Sequence, residues 1–183
     1  MRHEALESRE LLAYSDVIIA DNPIVYYQFE EADVSNGQTA ADTANVAAGD
    51  NTATYNGTLA IDNAPAEGIS GQALDFQGTD DSVLSDANVT VGASGEYSVE
   101  LWFNTDATGQ QDMFAAYDGG HAILLELQNN GSIRFLHRVP AGNSGGQSVF
   151  SPNNSYTPGQ WHHLVATNDG SNMRLYLDGD EVA

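Results

Sequence analysis

One stretch decides the fold of this chain: Gly159-Gln-Trp-His-His-Leu-Val-Ala-Thr167, then Asn168-Asp-Gly-Ser-Asn172, then Met173-Arg-Leu-Tyr-Leu-Asp-Gly179. Polar and apolar residues alternate in the first and third parts, as they do along a half-buried β-strand. The middle part carries Asn, Asp, Gly and Ser, which are the residues of tight turns. The stretch therefore predicts a β-hairpin.

The register of this hairpin depends on the length of its loop. A three-residue loop, Asp169–Ser171, places Val165 opposite Leu175. Because side chains alternate across a strand, this register predicts that one face of the hairpin packs into the core. The residues of that face are Trp161, His163, Val165, Thr167, Met173, Leu175 and Leu177.

A second hairpin is predicted from Ile123–Gln128 and Ser132–Val139. Gly131 supplies the left-handed residue that a three-residue loop requires. The register aligns two apolar pairs and one pair of opposite charge, and such cross-strand pairs stabilise a sheet. The pairs are Leu127 with Ile133, Leu125 with Phe135, and Glu126 with Arg134.

Other segments also have the composition of strands. Tyr97–Asn104 alternates between apolar and more polar positions, and Asp16–Ala20 and Ile24–Phe29 are rich in β-branched and aromatic residues. Strands that follow one another at short intervals, with turn signals between them, indicate an antiparallel β-sandwich. The sequence therefore predicts an all-β fold.

Three segments of the chain resemble motifs of laminin-G-like, concanavalin A-like jelly-roll domains. The late hairpin is similar to their pattern G-x-W-H-H-V-A-x-T-x-D-G-x-x-x-L-Y-V-D-G. Gly71–Leu84 resembles G-x-A-L-x-F-D-G-x-D-D-Y-V, and Tyr97–Asn104 resembles F-T-V-E-A-W-V. The resemblance implies one jelly-roll β-sandwich domain over residues 14–183, with residues 1–13 as a leader or linker.

Members of this family usually continue past the late hairpin with further strands. The resemblance therefore implies that the sequence is truncated at its C-terminal end and lacks its last strands. On this basis we expect the strand Arg174–Asp178 to lack a sheet neighbour, because such a neighbour would come from the missing part.

The charge of the chain excludes several classes of partner. It has 183 residues and a net charge of −21, from 26 acidic residues against five basic ones, all arginine. Such a surface repels phosphate backbones, which excludes nucleic acid.

No apolar run reaches the length of a membrane span, so we expect no membrane insertion. The absence of cysteine excludes disulfides, thiolate metal sites and cysteine nucleophiles.

The residues that could catalyse a reaction lack the partners that catalysis needs. His162 and His163 are adjacent in a strand, so their side chains point to opposite faces and do not easily share one ion. Glu100 precedes Trp102 on a strand, but glycoside hydrolysis needs two carboxyl groups about 5–10 Å apart. The four residues after Glu100 include no acid. We therefore expect this chain not to be an enzyme.

Acidic residues concentrate in a loop-rich segment that begins at Glu30. Calcium binds oxygen ligands from irregular loops. Laminin-G-like domains often carry a structural calcium, and the match to their motifs F-D-E and T-A-x-D implies a calcium site with Glu30 and Asp42 as ligands. The alternative is that these acids are solvated loop residues that bind no ion.

Four residues form a candidate ligand-binding surface, because each lies on the strand face opposite its apolar neighbours: Trp102, Arg134, Arg138 and Tyr176. Aromatic rings beside hydrogen-bonding groups are the composition of a sugar-binding surface. The alternative is that a loop or the N-terminal strand covers Trp102.

These features favour a non-catalytic ligand-binding module of a larger secreted or cell-surface protein. Glycan is the first ligand class, and an extracellular protein is the second. Two other functions stay open: a structural or adhesion spacer, and an accessory domain of a polysaccharide-degrading enzyme.

Overall fold

A computed structural model describes residues 14–44, 51–62, 71–87, 95–107 and 109–183. The leader or linker predicted over residues 1–13 lies outside the described residues. The chain divides into two compact units, Met1–Asn88 and Val89–Ala183, and each is described by itself.

The first unit opens with a helix, α1 (Tyr14–Ala20), none of whose residues is buried. The prediction of a strand over Asp16–Ala20 is therefore wrong. Its β-branched residues favour strands, but a strand also needs a partner and a face to bury. Asn22 ends the helix in the left-handed conformation, with φ of 54°, and its N–H donates to the Ile19 carbonyl at 3.0 Å.

The second strand predicted near the N-terminus, Ile24–Phe29, is mostly irregular. Within the described part of the chain it contributes one isolated β-bridge, between Tyr27 and Asp42. The N–H of Tyr26 donates to the Asp42 carboxylate rather than to a neighbouring strand.

The strands seen in the described part of the first unit form two small antiparallel sheets. One sheet contains, in spatial order, β1 (Thr39–Ala40), β2 (Ala53–Asn56) and β5 (Ser82–Ser85). The other pairs β3 (Leu59–Asp62) with β4 (Ala73–Phe76). The small core of this unit is formed by Val34, Ala40, Ala53 and Tyr55.

The described residues of the second unit form two four-stranded antiparallel sheets. Sheet A contains, in spatial order, β13 (Asp180–Glu181), β12 (Met173–Leu177), β11 (His162–Asn168) and β6 (Tyr97–Phe103). Sheet B contains β10 (Gln147–Phe150), β9 (Ile133–Gly142), β8 (His121–Leu127) and β7 (Gln111–Tyr117).

One hydrophobic core lies between sheets A and B, which makes the second unit a β-sandwich. Its buried side chains come from both sheets: Phe103, Leu164, Ala166, Leu175 and Leu177 from sheet A, and Ile123, Leu125, Leu127, Ile133 and Phe135 from sheet B. The predicted all-β, antiparallel sandwich fold is thereby confirmed. No helix in the described ranges is long and apolar enough to span a bilayer.

The β8–β9 hairpin has the register that the sequence predicts. Leu127 lies opposite Ile133, Leu125 opposite Phe135, and Glu126 opposite Arg134. Gly131 adopts φ of 71° in the connecting turn, as its position requires. Turn residue, apolar pairs and charge pair all specify the same alignment here.

The β11–β12 hairpin is present, but the predicted register and the predicted buried face of β11 are wrong. Ala166, not Val165, lies opposite Leu175. Leu164 and Ala166 are fully buried, whereas the residues expected in the core lie on the outer side of sheet A and are only partly buried: His163, Val165 and Thr167. The prediction for Leu175 and Leu177 is correct, since both are buried.

The cause of this shift is a loop of four residues, Asp169–Asn172, instead of three. The Asp169 carboxylate accepts hydrogen bonds from the N–H groups of Ser171 and Asn172 at 2.9 and 2.7 Å. Gly170 adopts φ of 82°. The aspartate therefore stabilises the longer loop and moves every residue of β11 to the other face.

The outer edge of β12, which was expected to lack a neighbour, is partly paired. Tyr176 lies opposite Glu181 and Leu177 opposite Asp180 in β13. The N–H of Leu175 also donates to the Ala183 carbonyl at 2.7 Å.

Candidate functional site

The outer face of sheet A carries an aromatic and polar surface, defined here as Glu100, Trp102, His163, Val165 and Tyr176. These side chains alternate with the core residues of β6, β11 and β12. The register brings them side by side, because Val165 lies opposite both Glu100 and Tyr176, and His163 lies opposite Trp102. We call this surface the outer-face site.

His163 links the aromatic and acidic parts of the outer-face site. Its ring stacks on Trp102 with centroids 4.8 Å apart and planes inclined by 31°. Its Nε2 lies 2.8 Å from Oε1 of Glu100. An indole, an imidazole and a carboxylate are therefore held in one partly exposed patch, with apolar and hydrogen-bonding groups adjacent.

Asp178 fixes the start of β11 beneath this patch. Its Oδ1 accepts the backbone N–H of His163 at 2.9 Å, and its Oδ2 lies 2.7 Å from Nδ1 of His162. Partial burial opposes ionisation of Asp178, but the hydrogen bonds from these two histidines outweigh it, so the pKa of Asp178 lies below its ordinary value. The carboxylate thereby holds the backbone that carries His163.

Tyr176 lies on the outer face of β12, next to a charged pair at the hairpin loop. Arg174, two residues earlier on the same face, donates to Oδ2 of Asp169 at 2.9 Å. The hydrogen bond from Arg174, with those from the backbone of Asn172 and Ser171, holds the pKa of Asp169 well below its usual range. Arg174 therefore anchors the loop beside Tyr176.

Arg134 and Arg138 lie in sheet B and are not brought together with Trp102 and Tyr176. The outer faces of two stacked sheets point away from each other, so the four predicted residues do not form one surface. The sequence indicates which face of its own strand each residue occupies, but not which sheet each strand joins.

Both arginines are engaged within sheet B. Arg134 lies 3.6 Å from Oε2 of Glu126 and sits over the ring of Phe150, 5.9 Å from its centroid. Arg138 is only 8% exposed, and its guanidinium donates to the carbonyls of Gly142 and Gly145. Arg138 therefore stabilises the β9–β10 connection.

The two predicted calcium ligands accept backbone hydrogen bonds in the first unit. Oδ1 of Asp42 accepts the N–H groups of Tyr26 and Ala44 at 2.8 and 2.9 Å. Oε1 of Glu30 accepts the Gln72 N–H at 2.9 Å. Across the described ranges, no group of three or more histidine, aspartate or glutamate side chains is placed to hold a metal ion. Calcium at Glu30 and Asp42 stays a prediction.

His162 and His163 point to opposite faces, as the sequence predicts. His162 is 8% exposed, and its Nε2 accepts the Thr157 N–H at 3.0 Å while Nδ1 faces Asp178. Both ring nitrogens are thus used to join β11, β12 and the preceding loop. With Nε2 bonded to a backbone donor, the ring is not placed to take a proton from a nucleophile.

Sequence reasoning considered Glu100 and His163 singly and missed them as members of one surface. The signal that unites them is the pairing of β6 with β11 across 63 positions of the chain. Only the sheet order shows that Trp102 and His163 are neighbours.

Comparisons with known proteins give a family for the whole second unit and the end of the first. A family model described as the concanavalin A-like lectin/glucanases superfamily matches residues 76–183. This match includes every residue of the outer-face site.

Two curated relatives align with part of the chain. Pappalysin-1 of Mus musculus is 38% identical over 125 residues, and Pappalysin-1 of Homo sapiens is 25% identical over 125 residues. Each alignment covers 61% of this chain and 8% of the relative. The chain thus spans less than a tenth of the length of these relatives.

A solved structure shares the fold. The crystal structure of an S-layer domain-containing protein from Clostridium thermocellum aligns with a TM-score of 0.52 and 23% sequence identity. The alignment covers 87% of this chain and 70% of the other.

Proposed function

This chain belongs to the concanavalin A-like lectin/glucanases superfamily, and from that membership we propose that it is a non-catalytic glycan-binding module. The outer-face site carries the proposal. It presents Trp102, His163 and Tyr176 beside the carboxylate of Glu100 on a rigid sheet. Glycans bind to such surfaces because an aromatic ring contacts the apolar face of the sugar while polar groups accept its hydroxyls.

The charge of the chain supports a neutral ligand. The net charge of −21 disfavours sulfated or phosphorylated polymers. Arg174, the arginine on the outer face of sheet A, is paired with Asp169 at 2.9 Å. This arginine is therefore already neutralised by Asp169 and offers little attraction to an anionic glycan.

The proposal includes a location and a context. We place the module outside the cell or at its surface, as part of a larger chain. The name of the fold neighbour, an S-layer domain-containing protein, and the small share of the relatives' length that aligns, 8%, support both parts.

The arrangement of carboxylates supports a non-catalytic role. On the outer face, the acid paired with His163 is Glu100, and glycoside hydrolysis uses a second carboxyl group about 5–10 Å away. The residues opposite Glu100 across the strand are Val165 on β11, and then Tyr176 on β12. The next acid in this row is Glu181 on β13, three strands away from Glu100, and the Asp178 carboxylate is already bonded to His162 and to the His163 N–H.

A glycan array tests the proposal directly. The wild-type chain is expected to bind neutral glycans, and Trp102→Ala and Tyr176→Ala are each expected to weaken binding about tenfold, the value of one aromatic contact of about 1–1.5 kcal/mol. Trp102→Phe keeps a ring and should retain part of the affinity. Phe150→Ala is the matched control, because Phe150 is an exposed aromatic, 52% accessible, on sheet B.

Two outcomes would refute the glycan proposal. One is an empty array with folded wild-type protein. The other is unchanged binding in Trp102→Ala and Tyr176→Ala. A protein ligand is the second candidate, favoured by the same aromatic composition, and binding of an extracellular protein that depends on Trp102 with an empty array would select it.

A further inference from the structure

A cavity of about 430 Å³ lies at one end of the sandwich in the second unit. It is lined by residues of the β9–β10 and β11–β12 connections, among them His137, Gln147, Asn168, Ser171 and Met173. The volume falls in the range of small-molecule pockets, about 300–1,000 Å³. None of these residues belongs to the outer-face site.

A chain of buried polar groups lies at this end of the core. His137 and Asn168 are only 9% and 6% exposed. The hydroxyl of Tyr97 lies 3.0 Å from Nδ1 of His137, and Asn168 hydrogen-bonds to Tyr97 while its Oδ1 accepts the Gly170 N–H at 3.0 Å. Burial raises the pKa of Tyr97 to about 12, although the hydrogen bond from Asn168 opposes this, so the phenol keeps its proton at neutral pH.

The direction of these bonds can be assigned. The Asn168 side chain uses its oxygen for Gly170, so its NH₂ group donates to the Tyr97 oxygen. Tyr97 then donates its own proton to Nδ1 of His137. A neutral imidazole that accepts at Nδ1 carries its proton at Nε2. Because His137 lines the cavity, this tautomer places a hydrogen-bond donor at the cavity wall.

The residues that line the cavity favour a neutral ligand. Among the described residues that line the cavity there is no carboxylate, lysine or arginine. A buried charge needs a partner, so neither a cation nor an anion is compensated here. The polar groups that remain are the imidazole of His137, the amide of Gln147 and the hydroxyl of Ser171, and the apolar ones include Met173 and Val139.

We propose that this cavity binds one neutral polyhydroxylated ring, the size of a single sugar residue, as a second site separate from the outer-face site. His137 Nε2–H donates to a ring hydroxyl, Gln147 and Ser171 bond to others, and Met173 and Val139 contact the apolar face of the ring. Gly146 packs closely against β9: a Cβ at this position would lie 2.7 Å from the His137 carbonyl oxygen and 2.9 Å from the Arg138 Cβ, so the β9–β10 connection requires glycine here.

NMR titration of the full chain tests this site. The probes are methyl glucoside, methyl galactoside and N-acetylglucosamine, with glucuronate as the anionic comparison. The neutral probes are expected to shift the ring signals of His137 and the amide signals of Gly146 and Gly170 in a saturable way, with dissociation constants on the order of 1 mM. Glucuronate is expected to bind at least about tenfold more weakly.

Three variants assign the effect to the cavity. His137→Phe removes the donor while keeping a ring, and Ser171→Phe fills the space from an exposed loop position; each should weaken probe binding about tenfold or more. Ser144→Ala is the control and should bind as well as wild type, because Ser144 is exposed in the β9–β10 connection and does not line the cavity. Thermal unfolding shows whether each variant is folded, and Ser171→Phe keeps the test valid if His137→Phe does not fold.

Several results would overturn the proposal. These are no shift at His137, Gly146 and Gly170 with any neutral probe, unchanged affinity in Ser171→Phe, or equal affinity for glucuronate. The proposal does not depend on the outer-face site. An empty glycan array with probe binding that persists in Trp102→Ala would refute the proposed function and leave the cavity site intact. Glycan binding on the array that depends on Trp102, with no probe binding in the cavity, would refute the cavity site and leave the proposed function intact.

Discussion

The β11–β12 register predicts opposite consequences for two adjacent substitutions. Leu164 is 0% exposed in the core between the sheets, whereas Val165 lies on the outer face between Glu100 and Tyr176. Leu164→Ala removes a fully buried side chain and leaves a cavity that a sheet cannot close, so the free energy of unfolding should fall by about 3 kcal/mol, within the range of 2–5 for such changes.

Val165→Ala is the matched control, since it truncates an apolar residue on the same strand. It should lower the free energy of unfolding by about 1 kcal/mol or less, because the side chain is only partly buried. In melting temperature, with about 2–4 °C per kcal/mol for a chain of this size, the expected loss is about 6–12 °C for Leu164→Ala and at most about 2–4 °C for Val165→Ala.

Urea unfolding followed by tryptophan fluorescence and circular dichroism measures both variants. The difference between them is the informative quantity, because errors in the unfolded-state reference largely cancel. If Val165→Ala destabilises the protein as much as Leu164→Ala or more, then Val165 lies in the core. The register in the structure, and the outer-face site that depends on it, would both be wrong.

Three further predictions concern stability, calcium and catalysis. The pKa of Asp178 is lower in the folded protein than in the unfolded chain. Its contribution to stability is therefore present above the pKa of the unfolded chain, about 3.9, and is lost as pH falls through the pKa of the folded protein. Asp178→Asn should make stability depend less on pH in the acid range, and an unchanged dependence would contradict this. Calcium in place of a chelator should raise the melting temperature, and Asp42→Asn or Glu30→Gln should abolish the rise; equal melting would mean that these carboxylates serve only as backbone acceptors. Polysaccharides should not be cleaved, and any turnover abolished by Glu100→Gln would show that the chain is an enzyme.

The sequence was sufficient for the fold class and for one hairpin in full. In β8–β9 the glycine at position 131, the apolar pairs and the pair Glu126–Arg134 each require the same register, and the structure has that register. In β11 both faces carry apolar residues, with Leu164 and Ala166 on one and Val165 on the other. Alternation alone therefore does not select the buried face, and the loop held by Asp169 decides it.

The sites depend on sheet order, which local patterns do not contain. Trp102 and Tyr176 were assigned correctly to outward faces, but so were Arg134 and Arg138 of the other sheet. His163 belongs to the outer-face site because β6 pairs with β11, which places it beside Trp102. Tyr97, His137 and Asn168 come from three different strands and are at least 31 positions apart in sequence. No local sequence motif therefore predicts the cavity.

The measurement that tests the proposed function most directly is a crystal structure of the chain with the strongest glycan from the array. If the outer-face site binds glycan, a sugar ring packs on Trp102 or Tyr176, with a hydroxyl within hydrogen-bond distance of His163 or Glu100. Crystals of Trp102→Ala and Tyr176→Ala are soaked in the same way, and the sugar ring should be absent from the variant that lacks the aromatic side chain it packs on. A glycan seated on the outer face of sheet B, against Arg134 and Phe150, would contradict the assignment of the site to sheet A.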